Sequence, residues 1–579
     1  MSTETLTPTP VPLLSVVVPV HDVATWLTEC LDTIAAQQVD LEVLVIDDHS
    51  TDGSLAVARR HAAADPRFRV VEAVERGGAA ARDLGVSLAR GRYLVFADGD
   101  DLVPRGAYRA LVEALESSGD DVAVGDFLKF DARSTWRPSD GFDAFATERR
   151  GASLADVPSL LRFRACWHKL FRLDRWRELG VTFPSVPRSN DIVPMTTVLT
   201  RASSISVVTD VVYAYRDRPG HGSMTRRAGQ LVGTLSYFDQ EARCAELVVA
   251  DGREAVASEY FSMVLVNDGW VHLRKLMAGG PVEIDDDRRR ALGASVSALL
   301  EQAPPELVGR LGATQRRLYR LVATGRADLL WSMPDVPGST DDVPVDGAEA
   351  TTSLSRAVDL VDVLRGLGEH GTATTVVERR VVPHLIAIAG LGSSEAHDTA
   401  ASLASRIPAD AIPASSSAVV RLAREGSWPA LARLADVVRD VRVDVTGFER
   451  SAPVVVSTGA PDAGTITLTL RHETGTTATW TTLTPGATSR AALPRLVRTT
   501  PGRWTAQVRV DLRGSTAEVP ARASRPALQR PDGALAPVVV AQVDAAGDDL
   551  VFVTRSRLMR RLAGAVLRRA RSVARRVRR

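Results

Sequence analysis

Lysine, cysteine, aromatic residues and long apolar runs are all scarce in this chain. Lys129, Lys169 and Lys275 are its only lysines, so its positive charge is almost wholly arginine, a bias we read as the coding of a GC-rich genome. The three cysteines, Cys30, Cys166 and Cys244, lie far apart. That spacing excludes a disulfide framework and a clustered zinc module, and it suits a reducing compartment. The longest apolar runs, such as Leu13–Val20, are strand-length and well short of the ~20 residues that span a bilayer. Met1–Pro12 has neither a basic nor an apolar region, so no signal peptide is expected and a cytoplasmic location is. A net charge of +1 supplies no global field for nucleic acid or an acidic partner.

What is present is ordinary globular protein, 45% hydrophobic and 24% charged. At 579 residues the chain is long enough for three to four domains of ~150 residues each. In the first 130 residues short apolar runs alternate with helical patterns. Leu14–Val20, Glu42–Ile46, Phe68–Ala73 and Tyr93–Ala97 read as buried strands, and Ser54–Ala64 and Ala79–Ala89 as helices between them. Strands separated by helices in this way predict a parallel α/β sheet, which binds ligands at the carboxyl ends of its strands.

From 226 to 335 the pattern is helical, with Leu292, Val296, Leu299 and Leu300 on one face. Met333–Thr352 reads as a Pro/Asp-rich linker and 353–440 as helical again. Near Val441 the period becomes two, as in Ile466-Leu468-Leu470 and Trp504 to Leu512, which predicts an antiparallel β-sandwich. The boundaries expected are therefore 1–225 catalytic, 226–335 helical extension, 336–440 linker and second helical region, 441–553 β-sandwich, and 554–579 an Arg-rich tail.

Four polar clusters fall at strand ends: Pro19-Val20-His21-Asp22, Asp47 to Asp52, Gly77 to Asp83, and Asp98-Gly99-Asp100-Asp101. Singly, an Asp-Gly-Asp-Asp run is an acidic turn and an Asp-Asp pair ending a strand is a helix cap, here for the helix starting near Ser54. Jointly they converge on one crevice. Transfer of a sugar from a nucleoside diphosphate needs the leaving diphosphate neutralised. Mg²⁺ or Mn²⁺ held by few carboxylates, with phosphates completing its shell, does this. Asp98 and Asp100, separated by a small glycine, can serve ribose and metal. Asp48 can accept from a base N–H or ribose hydroxyls, and Arg82 adds fixed positive charge.

Leu14 to Asp101 resembles the family 2 glycosyltransferases of the GT-A fold. It carries their strand ending in Pro-Val, a Val-Asp-Asp-x-Ser-x-Asp-like element at Ile46–Asp52, an Ala-Arg-Asn-like turn at Ala81-Arg82-Asp83 and a DxD motif at Asp98-Gly99-Asp100. His21 and Asp22 stand where the family has Tyr-Asn, and Glu75 where Asn is common. Downstream, Cys166 to Phe171 resembles the family's Trp-x-Lys-Leu-Tyr element. Phe183-Pro184 with Ser189-Asn190-Asp191 resembles the stretch supplying its catalytic base, with Asn190 in place of the common Glu. Tyr213 to Arg216, followed by Arg218, His221 and Ser223-Met224-Thr225, resembles its diphosphate and acceptor stretch.

The resemblance implies a metal-dependent, inverting enzyme. Asp191 would be the base, and Pro19, His21, Asp48, Arg82 and Asp98 would bind a nucleotide sugar, a UDP-sugar by expectation. Asp100 would hold Mn²⁺ or Mg²⁺, and Arg218, His221 and Ser223 would meet the diphosphate or acceptor. Asp191 also reads as a helix N-cap, Trp167 as core, and His221 as a plain loop histidine.

The layout is similar to that of wall-teichoic-acid glycosyltransferases: a Rossmann-like GT-A domain, a helical linker region and a C-terminal β-sandwich for oligomerisation or polymer binding. The acceptor implied is a cell-envelope polymer or lipid-linked glycan. In the tail, Leu558, Leu562, Val566, Ala570, Val573 and Val577 follow helical spacing among arginines, as in a helix lying on an anionic membrane face. The competing readings are a frayed or polyanion-binding tail, a nucleotidyltransferase, and a catalytically silent nucleotide-sugar- or polymer-binding protein. Pro19-Val20-His21-Asp22 disfavours the nucleotidyltransferase, because it replaces the Gly-rich loop expected after strand one.

Overall fold

The computed structural model describes residues 11–218, 231–334, 336, 347–413 and 416–432, and the backbone of strands between 442 and 554. His221 and Ser223, and the tail after Thr554, lie outside these residues. The chain folds as two compact units, Met1–Leu330 and Trp331–Arg579.

In the first unit, strands β1 (Leu14–Val20), β2 (Leu41–Asp47), β3 (Phe68–Glu72) and β4 (Tyr93–Phe96) alternate with helices α1 (Ala24–Ala35), α2 (Ser54–Ala64) and α3 (Gly78–Leu88). Leu14, Val16, Val17 and Val18 are fully buried, as are Val43 to Ile46. A run that is apolar at consecutive positions buries both faces only as a central parallel strand with helices on each side. The first three expected strands lie within two residues of those observed, and α2 spans the expected residues. After α4 (Ala107–Ser118) come β5 (Val122–Phe130), β6 (Thr135–Trp136), β7 (Arg149–Ala152), β8 (Lys169–Arg172), α5 (Leu173–Glu178), α6 (Ile192–Arg201) and β9 (Ile205–Arg216).

The sheet order is β3-β2-β1-β4-β8-β5-β9-β7, with β6 on β5. The four strands expected in the first 130 residues pair in parallel as predicted, and the sheet continues beyond them as a mixed one. β1 to β4 are parallel, but β8 runs antiparallel between β4 and β5. The reversal escaped the periodicity because β8 is four residues long and carries a buried lysine, Lys169.

Helices α7 (Leu231–Asp251), α8 (Glu254–Phe261), α9 (Gly269–Ala278), α10 (Asp286–Gln302), α11 (Pro305–Arg310) and α12 (Ala313–Ala323) complete this unit. Leu292, Val296 and Leu299 are buried along α10, as their spacing required, while Leu300 is only partly covered. The second unit holds α13 (Gly347–Gly366), α14 (His370–Val376), α15 (Val382–Ala389), α16 (Ser394–Arg406) and α17 (Ser417–Arg424). Helix α13 begins inside the expected linker.

The strands that follow are β10 (Arg442–Glu449), β11 (Ala452–Thr458), β12 (Ile466–His472), β13 (Thr477–Leu483), β14 (Gly502–Leu512), β15 (Ser515–Pro520), β16 (Val539–Val543) and β17 (Leu550–Thr554). They pair antiparallel, β10 with β11 in one sheet and β13-β12-β14-β17-β16 in another, with β15 on β14. No helix among the described residues is long and apolar enough to cross a membrane.

Candidate functional site

The acidic turn after β4 lies between two arginines from distant parts of the chain. Asp98 Oδ1 accepts from an Arg82 guanidinium nitrogen at 2.6 Å, and Asp100 Oδ2 pairs with Arg218 Nε at 2.7 Å. Arg82 is buried on α3 and Arg218 follows β9. Burial works against the Arg82 charge, but Asp98 and Asp191 are among the anionic groups that override it and raise its pKa above the ordinary arginine value. The Arg218 guanidinium also lies 5.0 Å from the Trp26 ring centroid.

The turn is held from beneath. Tyr213 Oη accepts from the Asp98 backbone N–H and donates to Asp101 Oδ2, both at 2.9 Å. The Arg216 backbone N–H donates to Asp101 Oδ1 at 2.7 Å, and Arg216 Nε donates to the Asp100 carbonyl at 2.9 Å. Asp101 is thus the structural acid of the run. Gly99 is needed for space: a Cβ there would stand 3.2 Å from Val20 and Val23 side chains. Burial first, and the neighbouring carboxylates second, raise the pKa of both Asp100 and Asp101, while Arg218 opposes this at Asp100. Carboxylates crowded so that they resist ionisation attract a cation.

At the next strand end Asp48 is buried, and both its oxygens accept from the Gly77 backbone N–H at 2.9 Å. Gly77 has φ +109°, a conformation that side chains disfavour. His21 Nδ1 meets the Asp48 carbonyl at 2.6 Å, leaving the half-exposed ring at the crevice mouth. Pro19 pairs in register with Ile46 behind it. The Asp47-Asp48 pair does not cap α2. Its N-cap is Gly53, and Asp47 Oδ2 instead accepts from the Ser50 N–H at 3.2 Å.

Asp191 occupies the N-cap position of α6 but makes no capping hydrogen bond, so its carboxyl is not committed to the helix. Protein packs closely around it; burial raises its pKa first, Asp98 adds to this, and Arg82 and Lys169 pull it down. Asp191, Asp98 and Arg82 therefore share one electrostatic environment. Trp167 is buried and stacks on Tyr213, ring centroids 4.3 Å apart, which is the core role expected.

Among the residues that motif reading left without roles are Asp101, Tyr213, Arg216 and Lys169. The Lys169 ammonium is fully buried and donates to the carbonyls of Phe163 at 2.6 Å and Ala165 at 2.7 Å. Its His168 neighbour lies 2.6 Å away through Nε2, and burial lowers the Lys169 pKa to about 7. The one available signal was a lysine inside a strand in a chain nearly devoid of lysine.

Among the described residues no three His, Cys, Asp or Glu side chains form a ready metal cage. The donor set offered is two carboxylates beside arginines, which suits a cation that brings other ligands with it.

Residues 15–174 match the model for glycosyl transferase family 2. Similar curated proteins include the uncharacterized glycosyltransferase EpsJ of Bacillus subtilis, 27% identical over 214 residues, 36% of this chain and 62% of that one. Glycosyltransferase GlyG of Streptococcus pneumoniae is 30% identical over 224 residues, 36% of this chain and 72% of that one. The poly(ribitol-phosphate) beta-glucosyltransferase of Bacillus spizizenii is 27% identical over 208 residues, 35% of this chain and 32% of that one. The chain thus spans less than two thirds of EpsJ and somewhat more of GlyG. With the family model on β1 to α5 and GlyG matched over most of its length, the chain belongs to glycosyl transferase family 2.

Proposed function

We propose that this protein is an inverting glycosyltransferase that moves a sugar from a nucleotide-sugar donor, a UDP-sugar, to a hydroxyl of a cell-envelope polymer or lipid-linked glycan. The observation that carries the reading is the pairing of Asp98 with Arg82 and of Asp100 with Arg218 in the electrostatic surroundings of Asp191, whose carboxyl does not cap its helix. Fixed charges of both signs at one strand edge match a donor whose diphosphate leaves as negative charge develops.

In this reading Asp48 and His21, with Pro19 behind them, border the nucleoside, and Asp98 takes the ribose. Arg218 meets the diphosphate, with His221 and Ser223 contributing from outside the described residues. Asp191 receives the proton of the acceptor hydroxyl as that oxygen attacks the anomeric carbon. The crowded carboxylates of Asp98 and Asp100 fit Mn²⁺ or Mg²⁺ completed by donor phosphates, with Asp100 as the protein ligand. Such an ion, when bound, neutralises charge on the departing diphosphate.

The acceptor class is supported by the relative that acts on poly(ribitol phosphate). We assign the five segments bounded at 225, 335, 440 and 553 to catalysis, helical extension, linker, a sandwich for oligomerisation or polymer binding, and a tail recruiting the enzyme to the cytoplasmic membrane face. A panel of nucleotide sugars tested for thermal stabilisation with Mn²⁺ examines the central reading. A true donor at 100 times its Kd adds ~2.7 kcal/mol. No stabilisation by any of the panel would overturn it.

A further inference from the structure

Helix α7 lies outside the family-matched residues, yet it grips two segments that lead into the site. Glu241, fully buried on α7, accepts both Arg164 guanidinium nitrogens at 2.9 and 2.6 Å. Tyr260 Oη shares its one proton between the Glu241 carbonyl at 2.6 Å and the same carboxylate at 2.9 Å. Arg164 stands between Phe163 and Ala165, the two residues whose carbonyls hold the Lys169 ammonium. One turn earlier on α7, Ser236 Oγ donates to the Arg188 carbonyl at 2.7 Å, three residues before Asp191. Helix α6, which Asp191 begins, packs along α7 with Thr196 and Cys244 both fully buried.

We propose that Glu241 and Ser236 are positioning residues for transfer: α7 fixes the carbonyl cradle of Lys169 through Arg164 and the approach to Asp191 through Arg188. A buried arginine–glutamate pair is a poor stabiliser compared with apolar residues of equal volume, so a role in placing its neighbours accounts for it better than stability does. The groups that face Asp191 electrostatically are Arg82 from α3, Asp98 from the acidic turn, Lys169 from β8 and the buried thiol of Cys166 just before β8. Of these, Lys169 is the one whose place α7 sets. Loosening its cradle weakens a cation that favours the ionised base, so the acid limb of the turnover profile moves to higher pH.

This inference rests on the assignment of Asp191 as base, and the test separates the two. Full-length Ser236→Ala, Glu241→Gln and the double variant Arg164→Met/Glu241→Leu are compared with wild type for kcat, donor KM, the pH profile of kcat, and melting temperature. The donor is the nucleotide sugar selected by the thermal panel. The expected result is a kcat lowered about tenfold or more in the Glu241 variants and several-fold in Ser236→Ala. Donor KM stays within about twofold, and the acid limb is displaced upward. The double variant regains wild-type melting temperature without regaining kcat. A double variant with wild-type melting temperature and wild-type kcat would overturn the inference. If it does not fold, Ser236→Ala decides alone, and an unchanged kcat and pH profile there overturns it. Full turnover by Asp191→Asn would sink the base assignment instead.

Discussion

Asp83 stands where the family has asparagine, and its surroundings suit the neutral residue better. Both its oxygens accept from the Phe183 backbone N–H at 3.1 Å, and burial pushes its carboxyl up to about 6, against the helping charge of Arg82. Between the unfolded value of 3.8 and this value the folded state holds a proton that the unfolded chain has lost. Folding stability therefore falls as pH rises through that window, and above about 6 the whole cost is present. Two pK units correspond to about 3 kcal/mol. The group is not fully shielded from solvent, so we expect about 1–2 kcal/mol. Asparagine keeps an acceptor for the Phe183 N–H and carries no charge. Asp83→Asn should then melt roughly 2–6 °C above wild type at pH 7.5. The gain should vanish near pH 4. Scanning calorimetry of both proteins across this range measures it. A variant less stable at pH 7.5, or a gain independent of pH, would refute the reasoning.

Other outcomes follow from the same geometry. Asp191→Asn should lower kcat by about 10²–10⁴, the range for a lost general base, with donor affinity within a few-fold by calorimetry; collapse of donor binding would make it a donor ligand. Lys169→Met should remove a rise of stability between pH 7 and pH 10, because there the unfolded lysine holds a proton that the buried amine has released. Matching pH slopes in denaturant titrations of the two proteins would contradict this. A chain ending at Asp342 should still hydrolyse donor, since every residue given a catalytic role precedes the second unit at Trp331. A folded but inactive product would show that the second unit completes the site.

Strand runs and polar strand ends were legible because both depend on local pattern. Leu14–Val20 is apolar without interruption, and Asp98-Gly99-Asp100 follows a strand as a ligand-binding turn requires. Long-range partners were not legible. Nothing in the spacing tells that Arg218 would meet Asp100 across 118 residues, or that Tyr213 would hold the turn from below. Motif reading singled out Asp98 and Asp100 and left Asp101 without a role. The structure gives it one, since Asp101 is consumed by Tyr213 and Arg216 while Asp98 and Asp100 face arginines. Lys169 was hidden for a related reason. A buried ammonium is tolerable only with its carbonyl cradle in place, and that cradle forms by tertiary packing.

We propose that the Asp98–Asp100 crevice performs sugar transfer with a divalent ion. The most direct measurement is release of nucleoside diphosphate from the selected donor by full-length protein, with Mn²⁺ and with chelator, for wild type and Asp100→Ala. Wild type should turn over, and chelation should remove that turnover. Asp100→Ala should show none while keeping its fold by circular dichroism. Asp100→Ala turning over at the wild-type rate with Mn²⁺ would contradict the proposal.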